Sequence, residues 1–296
     1  MTEIIDRLSA VSSRYDAVFC DLWGCVHDGH RMFDDAVTAL RAFREGGGIV
    51  LLLTNSPRPR AAVEVQLREL GMPEDAWDEI ATSGDAAQHA LITGAVGHRV
   101  LHIGAPKDES FFDELAPDLA KIATRMPPVA RVSLDEAEGI VCTGLADTPD
   151  ASPADYRATL LAAKQRGLPM LCANPDIVVD HGGRRLWCAG ALAREYEEMG
   201  GRVFYFGKPH PPIYDLARRR LAALRKIEDA GILCIGDGIA TDIQGAMGEG
   251  LDSLFITAGI DASAFGPDRA RPDPHALDAW LAARSLSPLF AMARLA

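Results

Sequence analysis

The chain has 296 residues, 48% of them hydrophobic and 24% charged, with a formal net charge of −12 at pH 7. That length holds one large domain or two ordinary ones, and the composition is that of a globular chain with ample core. The acidic balance works against non-specific binding to nucleic acid or to anionic membranes, both of which need clustered Lys and Arg.

The first residues, MTEIIDRLSAVSSRYD, contain no basic stretch followed by an apolar one, so no signal peptide is expected. No apolar run is long enough to span a bilayer, and the expected location is the cytoplasm. DAVFCDLW then reads as a buried strand, MFDDAVTALRAFREGG as a helix with a glycine stop, GIVLLLTN as a strand and PRAAVEVQLRELGM as a helix. This alternation predicts a parallel sheet with helices on its faces. The middle of the chain has its own pattern. HRVLHIGAP, EGIVCTGL and LPMLCANPD read as strands, and SPADYRATLLAAKQRG as a helix capped by Ser152 and stopped by Gly167. The first rhythm returns with RVFYFGKP, PPIYDLARRRLAALR, GILCIGDG, ATDIQGAMGEG and LDSLFITAG. The Pro-, Asp- and Arg-rich stretch DASAFGPDRARPDPH predicts a surface loop before a last helix, ALDAWLAARS. The expected organisation is a core formed by residues 1–85 and 186–296, with an inserted module over 86–185.

Six cysteines are present, none in a C-x-x-C pair and most inside apolar strand-like runs, so buried reduced thiols are expected. Cys25 stands apart because it follows the first strand on the loop beside Asp21.

Four segments place polar residues just after an apolar strand, the edge at which open α/β sheets bind ligands. They are Asp21; Thr54, Asn55 and Ser56; Lys208; and Asp237 with Asp242. Singly each has an ordinary reading as a turn, cap or solvated side chain. Together they suit phosphoryl transfer. One carboxylate can attack phosphorus, others can hold Mg²⁺ through hard oxygen ligands, a lysine can balance the charge, and hydroxyl and N–H groups can hold phosphoryl oxygens.

The set DLWGCVHDG, LLLTNSPRP, ANPD, AGALA, FGKPHPPIY and GDGIATDIQGA resembles the haloacid dehalogenase (HAD) superfamily, most closely subfamily IIA, and spans nearly the whole chain. The resemblance implies an α/β fold, a Rossmannoid parallel-sheet core with an α/β cap domain inserted between the second and third motifs. It also implies Asp21 as nucleophile, Thr54, Asn55 and Ser56 on the phosphoryl group, and Lys208 as the balancing cation. Asp21, Asp237, Asp242 and the backbone carbonyl of Trp23 are the implied Mg²⁺ ligands, with Asp242 either a ligand or an acid just behind the metal. Capped relatives pair through the cap, so a homodimer is an expectation by analogy.

Trp23 departs from the family pattern. The phosphatases carry a second Asp two residues after the nucleophile, which protonates the leaving oxygen and then activates water. Indole has no proton to exchange near neutrality and no acceptor, and such a group is commonly worth about 10²–10⁴ in rate. Three readings follow. In the first, the chain is a phosphatase of a small phosphorylated metabolite whose acid/base comes from His27 or Asp28 on the same loop; the plainer account is that these two shape the loop or contact the cap. In the second, it is a weak enzyme or a phospho-ligand binding protein. The third, dehalogenation, ranks last, because Asp237 and Asp242 beside Asp21 would repel one another without a metal. Arg58 and Arg60 either bind an anionic substrate or solvate a helix start. Asn174 and Asp176 are expected to fix the cap against the core, and HGGRR (181–185) reads as a hairpin turn.

Overall fold

The computed structural model describes residues 2–148, 150–181, 184–266 and 270–296. Its strands are β1 (Glu3–Ile4), β2 (Ala17–Cys20), β3 (Ile49–Thr54), β4 (Glu79–Thr82), β5 (Arg99–Ile103), β6 (Ala130–Arg131), β7 (Gly139–Cys142), β8 (Met170–Cys172), β9 (Val178–His181), β10 (Arg184–Trp187), β11 (Val203–Tyr205), β12 (Ile232–Gly236), β13 (Asp252–Ile256) and β14 (Phe290–Met292). Two parallel sheets organise them: a seven-stranded one in the order β1-β14-β13-β12-β2-β3-β4, and a five-stranded one in the order β11-β8-β7-β5-β6. β9 and β10 pair antiparallel, and residues 182–183, at the centre of the hairpin turn expected from HGGRR, lie outside the described residues.

The continuous apolar runs of β2 and β3 follow from burial on both faces. Val18, Cys20, Val50 and Leu52 pack under the helix Asp34–Glu45, while Phe19, Leu51 and Leu53 point the other way, onto the helix Pro211–Leu224. The five-stranded sheet repeats the plan. Ile140, Cys142, Met170 and Cys172 meet Leu160, Leu192 and Tyr196 on one face, and Val100, Val141 and Leu171 meet Ala87, Leu91 and Phe111 on the other. All six cysteines are free and buried. The predicted helix over 152–167 starts as a 3₁₀ turn, Pro153–Tyr156, under a Ser152–Asp155 capping box, then continues as Arg157–Gln165. Of the expected surface loop, residues 267–269 lie outside the described ones, and the last helix, Pro274–Ala282, is capped by Asp273.

The inserted module is longer than the expected 86–185. RVFY was expected to continue the core rhythm, but β11 pairs with β8 at the edge of the five-stranded sheet, and the helix Ala189–Glu198 packs on that sheet through Leu192 and Tyr196. At the other boundary, the helix Ser83–Ile92 leaves β4 and packs on the five-stranded sheet through Ala87 and Leu91. A strand of three residues between glycines carries no sign of which sheet it joins, and that choice is tertiary. Lys208 therefore stands where the chain re-enters the core.

The outgoing crossing is tied down by buried charge. Thr82 caps the helix Ser83–Ile92 by accepting from the Asp85 N–H at 2.9 Å. The Asp85 carboxylate accepts from Arg220 at 2.7 Å and from the Arg60 backbone N–H at 3.1 Å, and Arg220 also donates to the Ile80 carbonyl. The Arg220 and Asp85 side chains are 14% and 6% exposed, respectively. Replacing Arg220 by Met strands a buried carboxylate, and the expected loss is about 3–5 kcal/mol in chemical denaturation. The double variant Arg220→Met/Asp85→Asn is expected to recover much of that loss.

Candidate active site

The candidate site forms where β2, β3 and β12 end side by side. Asp21 follows β2, Thr54 ends β3 with Asn55 and Ser56 after it, and Asp237 follows β12. Parallel register brings these ends together: Cys20 pairs with Leu52 on one side and with Ile235 on the other. Each strand turns polar at the residue that leaves the sheet.

Lys208 organises the floor. Its ammonium donates to Asp21 Oδ1 at 2.7 Å, to Asp242 Oδ1 at 2.7 Å and to the Leu53 carbonyl at 2.8 Å, using all three protons. The side chain is 2% exposed. Burial alone would lower its pKa, but Asp21 and Asp242 outweigh burial and hold it well above the usual lysine range. The second Asp242 oxygen accepts from the Gly238 N–H at 3.1 Å.

Asn55 holds Lys208 in place. Its Oδ1 accepts from the Lys208 N–H at 2.7 Å, and its Nδ2 donates to the Lys208 carbonyl at 3.0 Å and to Asp176 Oδ1 at 2.8 Å. Both amide protons are thus committed, so the Asn55 side chain anchors the crossing and the inserted module rather than a phosphoryl group. Asn174 supports the same contact by accepting from the Asp176 N–H at 3.0 Å. Thr54 Oγ1 accepts from the Ser56 N–H at 3.2 Å, which leaves its own proton for an oxygen in the cavity.

Asp237 is tightly cradled. One of its oxygens accepts from the Ile260 N–H at 3.0 Å. A Cβ at Gly24 or at Gly259 would stand 2.1 or 2.0 Å from Asp237 Oδ2, and Gly24 has φ +74°. Only glycine meets both demands at position 24. Ligand atoms of Asp21, Cys25 and Asp237 lie within 4.8 Å of one another. Burial, then Asp242, pushes Asp21 up to about 7 despite Lys208. Burial, then Asp21 and Asp242, holds Asp237 well above the carboxylate range. Three buried carboxylates facing one lysine are short of positive charge, which fits a divalent cation between Asp21 and Asp237. Asp242 is bound up with Lys208 and Gly238 and lies outside that cluster.

Two cavities meet over Asp21, of about 610 and 850 Å³. Trp23, Asp176, Val179 and Arg185 line both; Thr54, Asn55, Ser56 and Arg58 line the larger, and Lys208, Asp237 and Asp242 the smaller. His27 lies beneath this surface. It is fully buried, its ring stands edge-on to Trp23 at 5.0 Å, and its Nδ1 accepts from the Gly29 N–H. Asp28 does line the smaller cavity, but its carboxylate accepts from the His30 and Arg31 N–H groups and pairs with the Arg31 guanidinium. Burial pushes its pKa up, yet those donors prevail and hold it below the usual carboxylate range. Arg60 pairs with Glu64 and Glu79, away from the site, whereas Arg58 bonds Gln66 on the cavity wall. In the hairpin Arg185 pairs with Asp180 and reaches the Ile260 carbonyl at 3.4 Å. The cavity role of Asp176 was not read from the sequence. Its signal was the ANPD segment, which ends a strand of the inserted module just as the core motifs end theirs.

Family models for "Haloacid dehalogenase-like hydrolase" and "HAD-hydrolase-like" match residues 18–116 and 205–280. A crystal structure of a hydrolase of the haloacid dehalogenase-like family from Brucella suis 1330 is 40% identical, with a TM-score of 0.84 over 99% of this chain and 100% of that one. D-glycerol 3-phosphate phosphatase from Mycobacterium tuberculosis is 28% identical over 263 residues, 86% of this chain and 67% of that protein. The crystal structure of glycerol phosphate phosphatase from Mycobacterium tuberculosis in complex with magnesium is 25% identical, with a TM-score of 0.61 over 87% of this chain and 73% of that one. Both segments flanking the inserted module thus match, and a relative at 40% identity aligns from end to end: the chain belongs to the haloacid dehalogenase-like hydrolases.

Proposed function

We propose that this hydrolase is a Mg²⁺-dependent phosphatase of a small phosphorylated metabolite, working through a phospho-Asp21 intermediate. The observation that carries the reading is the buried Lys208, shared by Asp21 and Asp242 beside Asp237 at three adjoining strand ends. Phosphatase relatives, one of them in complex with magnesium, support it.

Asp21 supplies the attacking carboxylate at the mouth of two cavities, and Lys208 keeps it oriented and offsets its charge. Thr54 and the loop after it hold phosphoryl oxygens. Asp21, Asp237 and the carbonyl of residue 23 would hold Mg²⁺, which when bound neutralises charge on the phosphoryl oxygens. The inserted module roofs the site through Asp176, Val179 and Arg185. The acidic chain, ill suited to nucleic acid or to anionic membranes, fits a small-molecule substrate.

Trp23 favours a second reading, a phospho-ligand binding protein with little turnover, since it lines both cavities at the position of the family's acid/base. Turnover of p-nitrophenyl phosphate separates the two. The phosphatase is expected to release nitrophenol with Mg²⁺, to stop on chelation, and to fall below about one-thousandth of its rate in Asp21→Asn. Silence of the native chain across a broad phosphate panel, with a gain of about 10²-fold or more in Trp23→Asp, would establish the binder.

Metal binding has its own signature in stability. Asp21 holds its proton more tightly in the folded chain, with a pKa of about 7 against an ordinary 3.8. Its raised pKa therefore makes the metal-free fold lose stability as pH rises from about 4 through 7. Thermal melting followed with and without Mg²⁺ is expected to show this decline, and a Mg²⁺-induced rise in Tm larger at pH 8 than at pH 5. An equal rise at both pH values would argue against carboxylate ligation.

A further inference from the structure

Trp23 leaves the leaving-group oxygen without its usual proton donor, and the loop residues nearest in sequence do not supply one: His27 is sealed under Trp23, and Asp28 is held ionised by its own loop. In-line displacement sets a geometric requirement. The nucleophile and the leaving group occupy opposite sides of phosphorus. Asp21 approaches from the core sheet, so the leaving oxygen faces the inserted module.

Of the carboxylates that the inserted module presents there, Asp180 lines the smaller cavity and Asp108, Asp147 and Asp150 the larger, whereas Asp176 lines both together with Asp21. Its position is set by the relay that sets the nucleophile: Asp176 Oδ1 on Asn55 Nδ2, Asn55 Oδ1 on the Lys208 N–H, and Lys208 Nζ on Asp21 Oδ1, at 2.8, 2.7 and 2.7 Å. Asn174 fixes its backbone. We propose that Asp176 is the general acid and base of this hydrolase, acting from the cap in place of the carboxylate that Trp23 replaces.

In the first half-reaction Asp21 forms its bond to phosphorus as the P–O bond to the leaving group breaks, and Asp176 gives its proton to the departing oxygen. In the second, Asp176, now ionised, takes a proton from the water that attacks the aspartyl phosphate. Orthophosphate leaves, and both carboxyl groups return to their starting states. The charged groups around Asp176 suit this cycle. Burial raises its pKa to about 6; Lys208 and the Asn55 bond oppose that rise, and Asp242 adds to it. Asp21, Asp180 and Arg185 face it across the cavity. Environment thus separates the loop carboxyl from the cap carboxyl, Asp28 toward the ionised state and Asp176 toward the protonated one, the pattern of an acid/base assignment.

This inference rests on the phosphatase reading, and Asp176→Asn tests it, because an amide oxygen still accepts from Asn55 while the exchangeable proton is gone. The variant is expected to melt like the native chain and to lose about 10²–10⁴-fold on an alkyl phosphate. With p-nitrophenyl phosphate, whose leaving group needs no proton, it is expected to release one equivalent of nitrophenol in a burst and then stall as an acid-trappable phosphoenzyme. Adding Trp23→Asp to Asp176→Asn is expected to restore steady turnover, which a purely structural defect would not permit. Native-like rates on both substrates in Asp176→Asn would overturn the assignment, as would a burst in Asp28→Asn without one in Asp176→Asn. A loss that Trp23→Asp fails to rescue would overturn it too, and would leave Asp176 a cap anchor. If turnover in the native chain survives Asp21→Asn or is absent altogether, the phosphatase reading itself falls, and this assignment with it.

Discussion

A lysine with 2% exposure has to spend all three of its protons, and the way Lys208 spends them sets the arrangement around it. Two protons go to carboxylates that would otherwise repel each other, and the third goes to the last carbonyl before Thr54 in β3. An ammonium taken out of water costs several kcal/mol unless paired, so removing either acid would leave an uncompensated buried charge. Asp21, Asp242 and the end of β3 are therefore positioned by one cation. Asn55 extends the constraint by gripping the Lys208 backbone on both its N–H and its carbonyl. Even so the floor stays negative, because Asp237 lies beside Asp21 with no cationic side chain of its own among the described residues. The surplus is what a divalent ion would answer.

Much of this was legible in the sequence because it is local. Continuous apolar runs ending in Asp21, Thr54 and Asp237 announce strands buried on both faces whose ends carry polar groups, and parallel pairing makes those ends adjoin. The spacing of Ser152 and Gly167 bounds a helix because a cap and a stop act within a turn of themselves. What the sequence could not show is decided by contacts between distant segments. β11 looks like any core strand, and only its pairing with β8 assigns it to the cap sheet. Asn55 follows Thr54, the proposed phosphate-binding threonine, and reads as a second phosphate ligand, but its amide is committed to residues more than a hundred positions away. His27, close to Asp21 in sequence, is turned under the loop by the packing of Trp23.

Trp23 has a structural account as well as a chemical one. Its ring covers His27 and forms part of the wall of both cavities, so it contributes apolar surface where the family pattern has a carboxylate. Gly24, immediately after it, is pressed against Asp237 with positive φ. The loop keeps its glycine against Asp237 but carries no titratable side chain at position 23.

The Asn55 side chain joins two bodies. Its Oδ1 and one Nδ2 proton grip Lys208, which is already core; the other Nδ2 proton grips Asp176, which follows a strand of the cap sheet. The two contacts to Lys208 and the single contact to Asp176 are unequal, so a swing of the cap would part the second and spare the first. An open cap would then keep the floor that Lys208 ties together, but carry Asp176, the proposed proton donor, away. Entry of a ligand and protonation of its leaving group would then make opposite demands on the Asn55–Asp176 bond, with one amide marking the border between core and cap.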